Sequence, residues 1–459
     1  MNAETEDLLV AWYADDFTGA AAVLEVLAFA GLQTMLFLDV PTRAQLSRYP
    51  DLQAIGVAST ARAQSPEWMD NHLPGVFESL LALNPGLFHY KICSTLDSSP
   101  DTGSIGRAIE IAADLIKPEM VPVLVAAPQM RRYQMFGHLF AGLGDKVYRL
   151  DRHPVMARHP VTPMTESDVA RHIALQSKRL DTAVWSFEDS AATLAPELGK
   201  VAHVASQNTI SVLTIDCVDD KSETAAGRLL WENKRENRFV VGSQGVEYAL
   251  VRHWIETDVL PASAPLSGAG RSQGMVTVSG SVSPTTAEQI AWSRKHGFAV
   301  IRFDVIQATA NETELEGEIT RVVSESLQAL TKGLDPLIYT AQGPDDPTVR
   351  QFKDAVAAAG HEMPVINKRI GLALGAILHR ILTQSNIRRA VVSGGDTSGY
   401  VTQQLGIFAL SALAPTIPGA SLSRVHADGP MDGLELALKG GQMGSPDYFG
   451  WIRDGGGAQ

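Results

Sequence analysis

An α/β fold in two domains, each a mainly parallel sheet flanked by helices, is what this sequence predicts. Three observations carry that expectation. Short apolar runs alternate with helical patterns almost from the start, the rhythm of parallel strands joined by crossover helices. The runs end in loops of small and polar residues, as in "YADDFTGA" and "VSGGDTSG". A stretch without apolar period, "LPASAPLSGAGRSQG" at 260–274, separates two such series. It reads as a linker between domains at 1–259 and 275–459.

Taken in order, "LLVAWYA" reads as a buried strand and residues 19–30 as a helix, with Gly31 at its C-terminal cap. "TMLFLDV", ended by Pro41, and "LQAIGVAS" are the next strands; a helix opens at Ser65-Pro66, serine capping and proline in the first turn. "LFHYKICS" is a strand followed by the polar loop "TLDSSPDTGS", a helix from about Ile105 and the strand "VPVLVAAP". "RLDRHPVMARHPVTPM" reads as loop, with a helix from about Thr165, and "TISVLTIDCVD" and "RFVVGSQG" as further strands of the same layer. The second domain opens with the strand of "GMVTVSGSVSPTTAEQI" and a helix whose first turn holds Ser283 and Pro284. "DPLIYTAQG", "RRAVVSGGDTSGYVTQQLGI" and "LALKGGQMGSPDYF" follow, and "DGGGAQ" reads as a mobile tail.

The chain has 459 residues, more than one typical core accommodates, and a net charge of −13. That balance argues against a general binder of nucleic acid or anionic membrane. Its two cysteines, Cys93 and Cys217, offer neither a disulfide framework nor a Cys-rich zinc site. "MNAETED" lacks the basic region of a signal peptide, and no apolar run reaches the ~18 residues of a membrane helix. A soluble, cytoplasmic protein is expected.

Two kinds of stretch bear on chemistry. The first is the glycine- and hydroxyl-rich turn, of which the second domain has three: Ser279, Ser281 and Ser283; Gly394, Gly395, Asp396 and Thr397; Gly440 and Gly441. Glycine lets backbone N–H groups approach a polyphosphate, and a following helix N-terminus favours its charge. One such turn alone is an ordinary βα connection; three shift the balance to a nucleotide site, with Asp396 a candidate metal ligand. Walker A and GxGxxG patterns are both absent. The second is Asp15-Asp16, between a strand and a helix: either a solvated turn with a helix cap, or carboxylates for a polyol and for its proton. Lys91, Ser94, Thr95, Ser104, Gly106 and Arg107, with Arg62, supply cations, hydroxyls and N–H groups suited to a carboxylate-bearing sugar. His153, His159 and His172 match no tight zinc spacing and read as loop histidines.

"YADDFTGA", "GSVSPTT", "VSGGDTSGYVTQQLGI" and "ALKGGQMGSPDYF", in this order along nearly the whole chain, resemble the four-carbon acid sugar kinase family. The resemblance implies ATP-dependent phosphorylation of a sugar-acid hydroxyl, an N-terminal acid-sugar domain, a C-terminal nucleotide domain and an active site in the cleft between them. It places Asp15 and Asp16 at the substrate site, and Ser281, Gly394 to Thr397 and Gly441 at the ATP site. Arg62 matches the arginine of the family's "DTESR" segment, whose acids are Ala58 and Thr60 here. Where the family resembles "KKVDSTLRGNIG", this chain has "YKICSTLDSSPDTGSIG": an acid becomes Cys93 and Arg-Gly-Asn gives way to a longer loop. That loop resembles a branch that includes 3-oxo-isoapionate kinases, beside tetronate and 3-oxo-tetronate as alternative ligands.

The expected reaction is in-line attack by a substrate hydroxyl on ATP, with Mg²⁺ on the phosphates through Asp396 and Asp16 the preferred base over Asp15. The expected partners are a small acid sugar and ATP, with a homodimer the candidate assembly and no role for nucleic acid or membrane. One rival is a sugar-acid dehydrogenase or lyase using a dinucleotide, against which the missing GxGxxG counts. Another is a non-enzymatic sugar-acid binding protein, disfavoured by the carboxylate pair it would not need.

Overall fold

The computed structural model describes residues 8–192, 208–262 and 266–457. Contacts divide the chain into Met1–Ala264 and Pro265–Gln459, each with its own run of parallel strands.

In the first unit the strands are β1 (Val10–Ala14), β2 (Thr34–Phe37), β3 (Ala54–Ala58), β4 (Leu87–Lys91), β5 (Val121–Leu124), β6 (Arg132–Met135), β7 (His138–Leu143), β8 (Lys146–Arg149), β9 (Leu180–Trp185), β10 (Ile210–Ile215) and β11 (Phe239–Gly242). Eight of them pair in parallel in the order β2-β3-β1-β4-β11-β5-β10-β9. Every residue of β1 is buried, which is why that run is apolar without alternation. Trp12 lies so close over β3 that a Cβ on its register partner Gly56 would stand 2.0 Å from the indole, so only glycine fits there. The chain leaves β1 for β2 and β3 on one side and returns to β4 on the other. This reversal makes a switch point at the carboxyl ends of β1 and β4, the place where open α/β sheets bind ligands.

β6, β7 and β8 form a separate antiparallel sheet, a hairpin pair that the sequence reading did not anticipate. It is tied to the main sheet by Asp216, fully buried beyond β10. The Asp216 carboxylate accepts from the backbone N–H of Phe136, from Gly137 N at 2.9 Å and from Phe187 N at 3.1 Å. The helix expected from Thr165 begins at Val169, capped by Asp168.

The second unit holds β12 (Val276–Ser279), β13 (Phe298–Arg302), β14 (Asp335–Tyr339), β15 (Arg389–Ser393), β16 (Ile407–Ala414), β17 (Leu422–Ala427) and β18 (Glu435–Lys439). The order β13-β14-β12-β15-β18 is parallel, and β17 and β16 extend it antiparallel beyond β18. Long helices Glu312–Thr331 and Met363–Gln384 cover the sheet. The winding repeats that of the first unit, with a switch point at β12 and β15, where two of the three glycine turns lie. The tail is a correction: Gly455 to Gly457 are fixed, Gly455 O accepting from Ala269 N and Gly457 N donating to Pro415 O, both at 2.8 Å. Glycine is needed there because all three have positive φ and a Cβ on Gly455 would meet Gly270 backbone atoms at 2.4 Å. Among the described residues no helix is long and apolar enough to cross a membrane.

Candidate active site

At the first switch point Asp15 follows β1 directly. Its N–H donates to Lys91 O and its O accepts from Arg62 N, both at 2.9 Å, so three loops meet at one backbone position. The Arg62 side chain grips both acids. Nε and Nη2 reach the two Asp15 oxygens at 3.1 and 2.6 Å, and Nη2 also reaches Asp16 Oδ1 at 2.6 Å. The aspartates differ in setting. Asp15 is 4% exposed at its side chain, Asp16 26%. Burial pushes the Asp15 carboxyl up despite Arg62. Burial alone would lower Arg62, but the carboxylates of Asp15 and Asp16 outweigh it and raise its guanidinium well above the ordinary range.

Asp16 is also the N-cap of the helix Phe17–Phe29, Oδ1 accepting from Gly19 N at 2.9 Å. The cap and the functional reading of Asp16 are therefore compatible: capping uses Oδ1, while Oδ2 has no partner among the described residues. Lys91 Nζ, buried, donates to Ile92 O at 2.7 Å. A Cβ on Gly19 would come within 2.9 Å of that amine and 2.5 Å of Asp16 Oδ1, so glycine there lets cation and carboxylate converge.

Several other expected ligands have partners within the protein. Arg107 donates from Nε to Asp70 at 2.5 Å and from Nη1 to Glu110, so its guanidinium is occupied by one acid of the helix Pro66–Leu81 and one of its own helix Ile105–Ile116. Ser104 caps that helix through Arg107 N at 3.1 Å. Gly106 gives room to Gln176, whose Cβ would stand 2.8 Å from an added Cβ. Thr95 Oγ1 donates to Asp97 at 2.9 Å and lies 3.0 Å from Cys93 Sγ; Ser94 is half-buried nearby in sequence. Of the histidines read as loop residues, His153 is buried and His172 Nε2 lies 2.9 Å from Ser98 Oγ, burial lowering its pKa to about 4.

In the second unit the three glycine turns do converge. A Cβ on Gly280 would meet Thr397 Oγ1 at 2.2 Å, and one on Gly441 would meet Ser281 Oγ at 2.3 Å. Ser283 Oγ caps the helix Pro284–Ser293 and donates to Gly441 O at 2.5 Å; Thr286 Oγ1 donates to the same carbonyl at 3.0 Å. Gly394, at φ +130°, opens the helix Gly395–Gln404, a conformation closed to other residues. Ser279 is fully buried and its Oγ accepts from Ser281 N at 3.4 Å. The side chain of Asp396 lies outside the described part of the structure. Among the described residues no group of three or more His, Cys, Asp or Glu is placed to hold a metal ion.

Beside these turns opens a cavity of about 340 Å³, walled by Val282, Val349, Phe352, Ile370 and Tyr400 and reaching Gly280 and Thr397. An apolar slot ending at glycine turns and a helix N-terminus suits a planar base attached to a phosphate chain. The sequence reading missed this slot because its walls come from separate helices. It also missed Lys439, buried at the tip of β18, whose Nζ donates to Gly440 O at 3.2 Å and faces the rings of Tyr448 and Phe449.

A family model described as a sugar-binding N-terminal domain matches residues 10–250, and one described as a nucleotide-binding C-terminal domain matches 276–449. The chain is 42% identical over 449 residues to a 3-oxo-isoapionate kinase of Paraburkholderia graminis, covering 98% of this chain and 94% of that one. It is 27% identical to a 3-oxo-tetronate kinase of Cupriavidus necator, covering 96% and 95%. Among solved structures, a Salmonella typhimurium LT2 protein superposes with a TM-score of 0.78 at 24% identity, covering 97% and 98% of the two chains. Haemophilus influenzae protein HI1011 gives 0.73, also at 24%, covering 96% and 99%. At that identity these two likenesses speak for the fold alone.

Proposed function

This chain belongs to the four-carbon acid sugar kinase family and is a sugar-acid kinase; from that premise we propose that its substrate is 3-oxo-isoapionate, phosphorylated by ATP in the cytoplasm. The observation that carries the substrate is the whole-length likeness to a kinase of that acid, much nearer than the likeness to a 3-oxo-tetronate kinase.

The acid sugar docks over the tips of β1 and β4. Arg62 cannot serve as its free clamp, being engaged by both aspartates; its part is to hold them in place. Asp15, buried and doubly bonded, is the anchor. Asp16 is the base, because its Oδ2 is unengaged and its side chain partly exposed. It takes the proton of the attacking hydroxyl while that oxygen bonds to the γ-phosphorus and ADP leaves with the bridging oxygen. Backbone N–H groups at 395–397 and 440–441 bind the phosphates, those of Gly280, Ser281 and Gly394 being engaged within the turns, and the slot beside Val282 and Tyr400 takes the base. Mg²⁺ neutralises phosphate charge when bound, with Asp396 the residue assigned to it. Twin acids gripped by one arginine also speak for a kinase over a mere binding protein, which has no use for a proton acceptor.

ADP release measured over a panel of acids tests the substrate. 3-Oxo-isoapionate should give the highest kcat/KM, at least ~10-fold above 3-oxo-tetronate, the scale of one substituent read by a fitted site. Equal or reversed preference contradicts the assignment.

A further inference from the structure

The first residue of β6, Arg132, is a cation with no ion-pair partner among the described residues. Arg132 exchanges backbone hydrogen bonds with Ala127 at 2.9 and 3.1 Å, which fixes it just beyond the tip of β5, on the same carboxyl edge as Asp15 and Lys91. Its Nη1 donates to Met130 O at 3.1 Å, with Arg131 O and Gly142 O at 3.3 and 3.4 Å. Its Nε is buried without a hydrogen-bond partner, and among the described residues no carboxylate pairs with the guanidinium. A desolvated N–H on an unpaired charge is costly to hold, which makes it a candidate for a ligand's place.

Charge at the neighbouring site sharpens the point. Arg62 is engaged by both Asp15 and Asp16, so it has no edge left for an arriving carboxylate. Cys93 stands within electrostatic reach of both Arg62 and Arg132, which links the two guanidiniums to one locality. Burial pushes the Cys93 thiol up, so it supplies no counter-charge where the family pattern has an acid. Asp97 is felt by Arg132 but makes no bond to it. His153 lies near enough for Arg132 to disfavour its charged form, after burial itself. Its Nδ1 accepts from Val155 N and Met156 N at 3.2 Å each.

We propose that Arg132 reads the carboxylate of the acid sugar, donating from the Nε/Nη2 edge that Arg62 uses on Asp15. Among the described residues no hydrogen-bond partner takes the Arg132 Nε. The assignment rests on the docking of the sugar at the tips of β1 and β4. An Arg–carboxylate pair of this kind is planar and two-pronged, so it sets orientation as well as affinity.

The test is steady-state kinetics of the full chain with 3-oxo-isoapionate and with its methyl ester, which keeps the carbon skeleton and loses the charge. Arg132→Gln should raise KM for the acid by ~10–100-fold, the scale of a charged hydrogen bond, and leave the ester and ATP values unmoved. Arg132→Lys, which keeps the charge and loses the fork, should fall between and serves as the readout should the glutamine variant fail to fold. Acid and ester affected alike, or neither affected, overturns the assignment. Asp16→Asn separates the two levels. If it abolishes turnover while Arg132→Gln keeps the acid-over-ester preference, only Arg132 is wrong; if Asp16→Asn turns over normally, the docking itself is wrong.

Discussion

Two adjacent aspartates repel each other, and one arginine reconciles them by dividing their labour. Arg62 spends two N–H groups on Asp15 and shares one with Asp16, leaving Asp16 Oδ2 as the free acceptor. Asp16→Asn should therefore lower kcat by ~10²–10⁴-fold, the range for loss of a general base, with ATP affinity little changed by calorimetry. Near-normal turnover would remove the role. The pair was legible in the sequence because carboxylates at a strand tip stand out. Arg62 stood out in the sequence, but its engagement by the two acids depends on the meeting of loops 47 residues apart. The engagement of Arg107 was not legible, because Asp70, its partner, lies 37 residues away. Arg132 carried no local signal, sitting in a hairpin that reads as irregular chain.

At the scale of elements, strand tips carry the chemistry, and Lys439 at the tip of β18 makes a separable prediction. Burial lowers its pKa to about 8 from the 10.5 of a free lysine. Between those values the unfolded chain binds more protons than the folded one, so stability rises with pH across that window. Below pH 8 both states hold the proton and the full cost of the buried charge is present. Lys439→Met should remove the rise, on the order of 3 kcal/mol, when urea midpoints of wild type and variant are compared at pH 7.5 and 10. Parallel differences at both pH values would contradict the burial of a charged amine. The elements missed in sequence have physical reasons. β6 to β8 are short and half-exposed, so they show no apolar run. β16 and β17 pair antiparallel, a departure from the strand–helix rhythm that guided the reading. The glycine turns were legible because glycine is required there: Thr397 and Ser281 occupy the space any side chain would need at 280 and 441.

Across the molecule, the same winding is used twice. β2-β3-β1-β4 and β13-β14-β12-β15 are one strand order, and in each the switch point coincides with the motif singled out by its residues. The unit matched by a sugar-binding model and the unit matched by a nucleotide-binding model thus carry their singled-out motifs at equivalent positions, twin aspartates in one and glycine turns in the other. That the halves shared a style was visible in the sequence; the identity of order was not, since strand neighbours are set by long-range pairing.

The central claim is transfer of one phosphoryl group from ATP to a hydroxyl of an acid sugar. Phosphorus NMR of the purified protein with ATP, Mg²⁺ and 3-oxo-isoapionate tests it most directly. The account predicts ADP and a new phosphate monoester in equal amounts, with neither formed when the acid is omitted. Inorganic phosphate in place of the ester, or ATP left intact beside the acids of the panel, would contradict it.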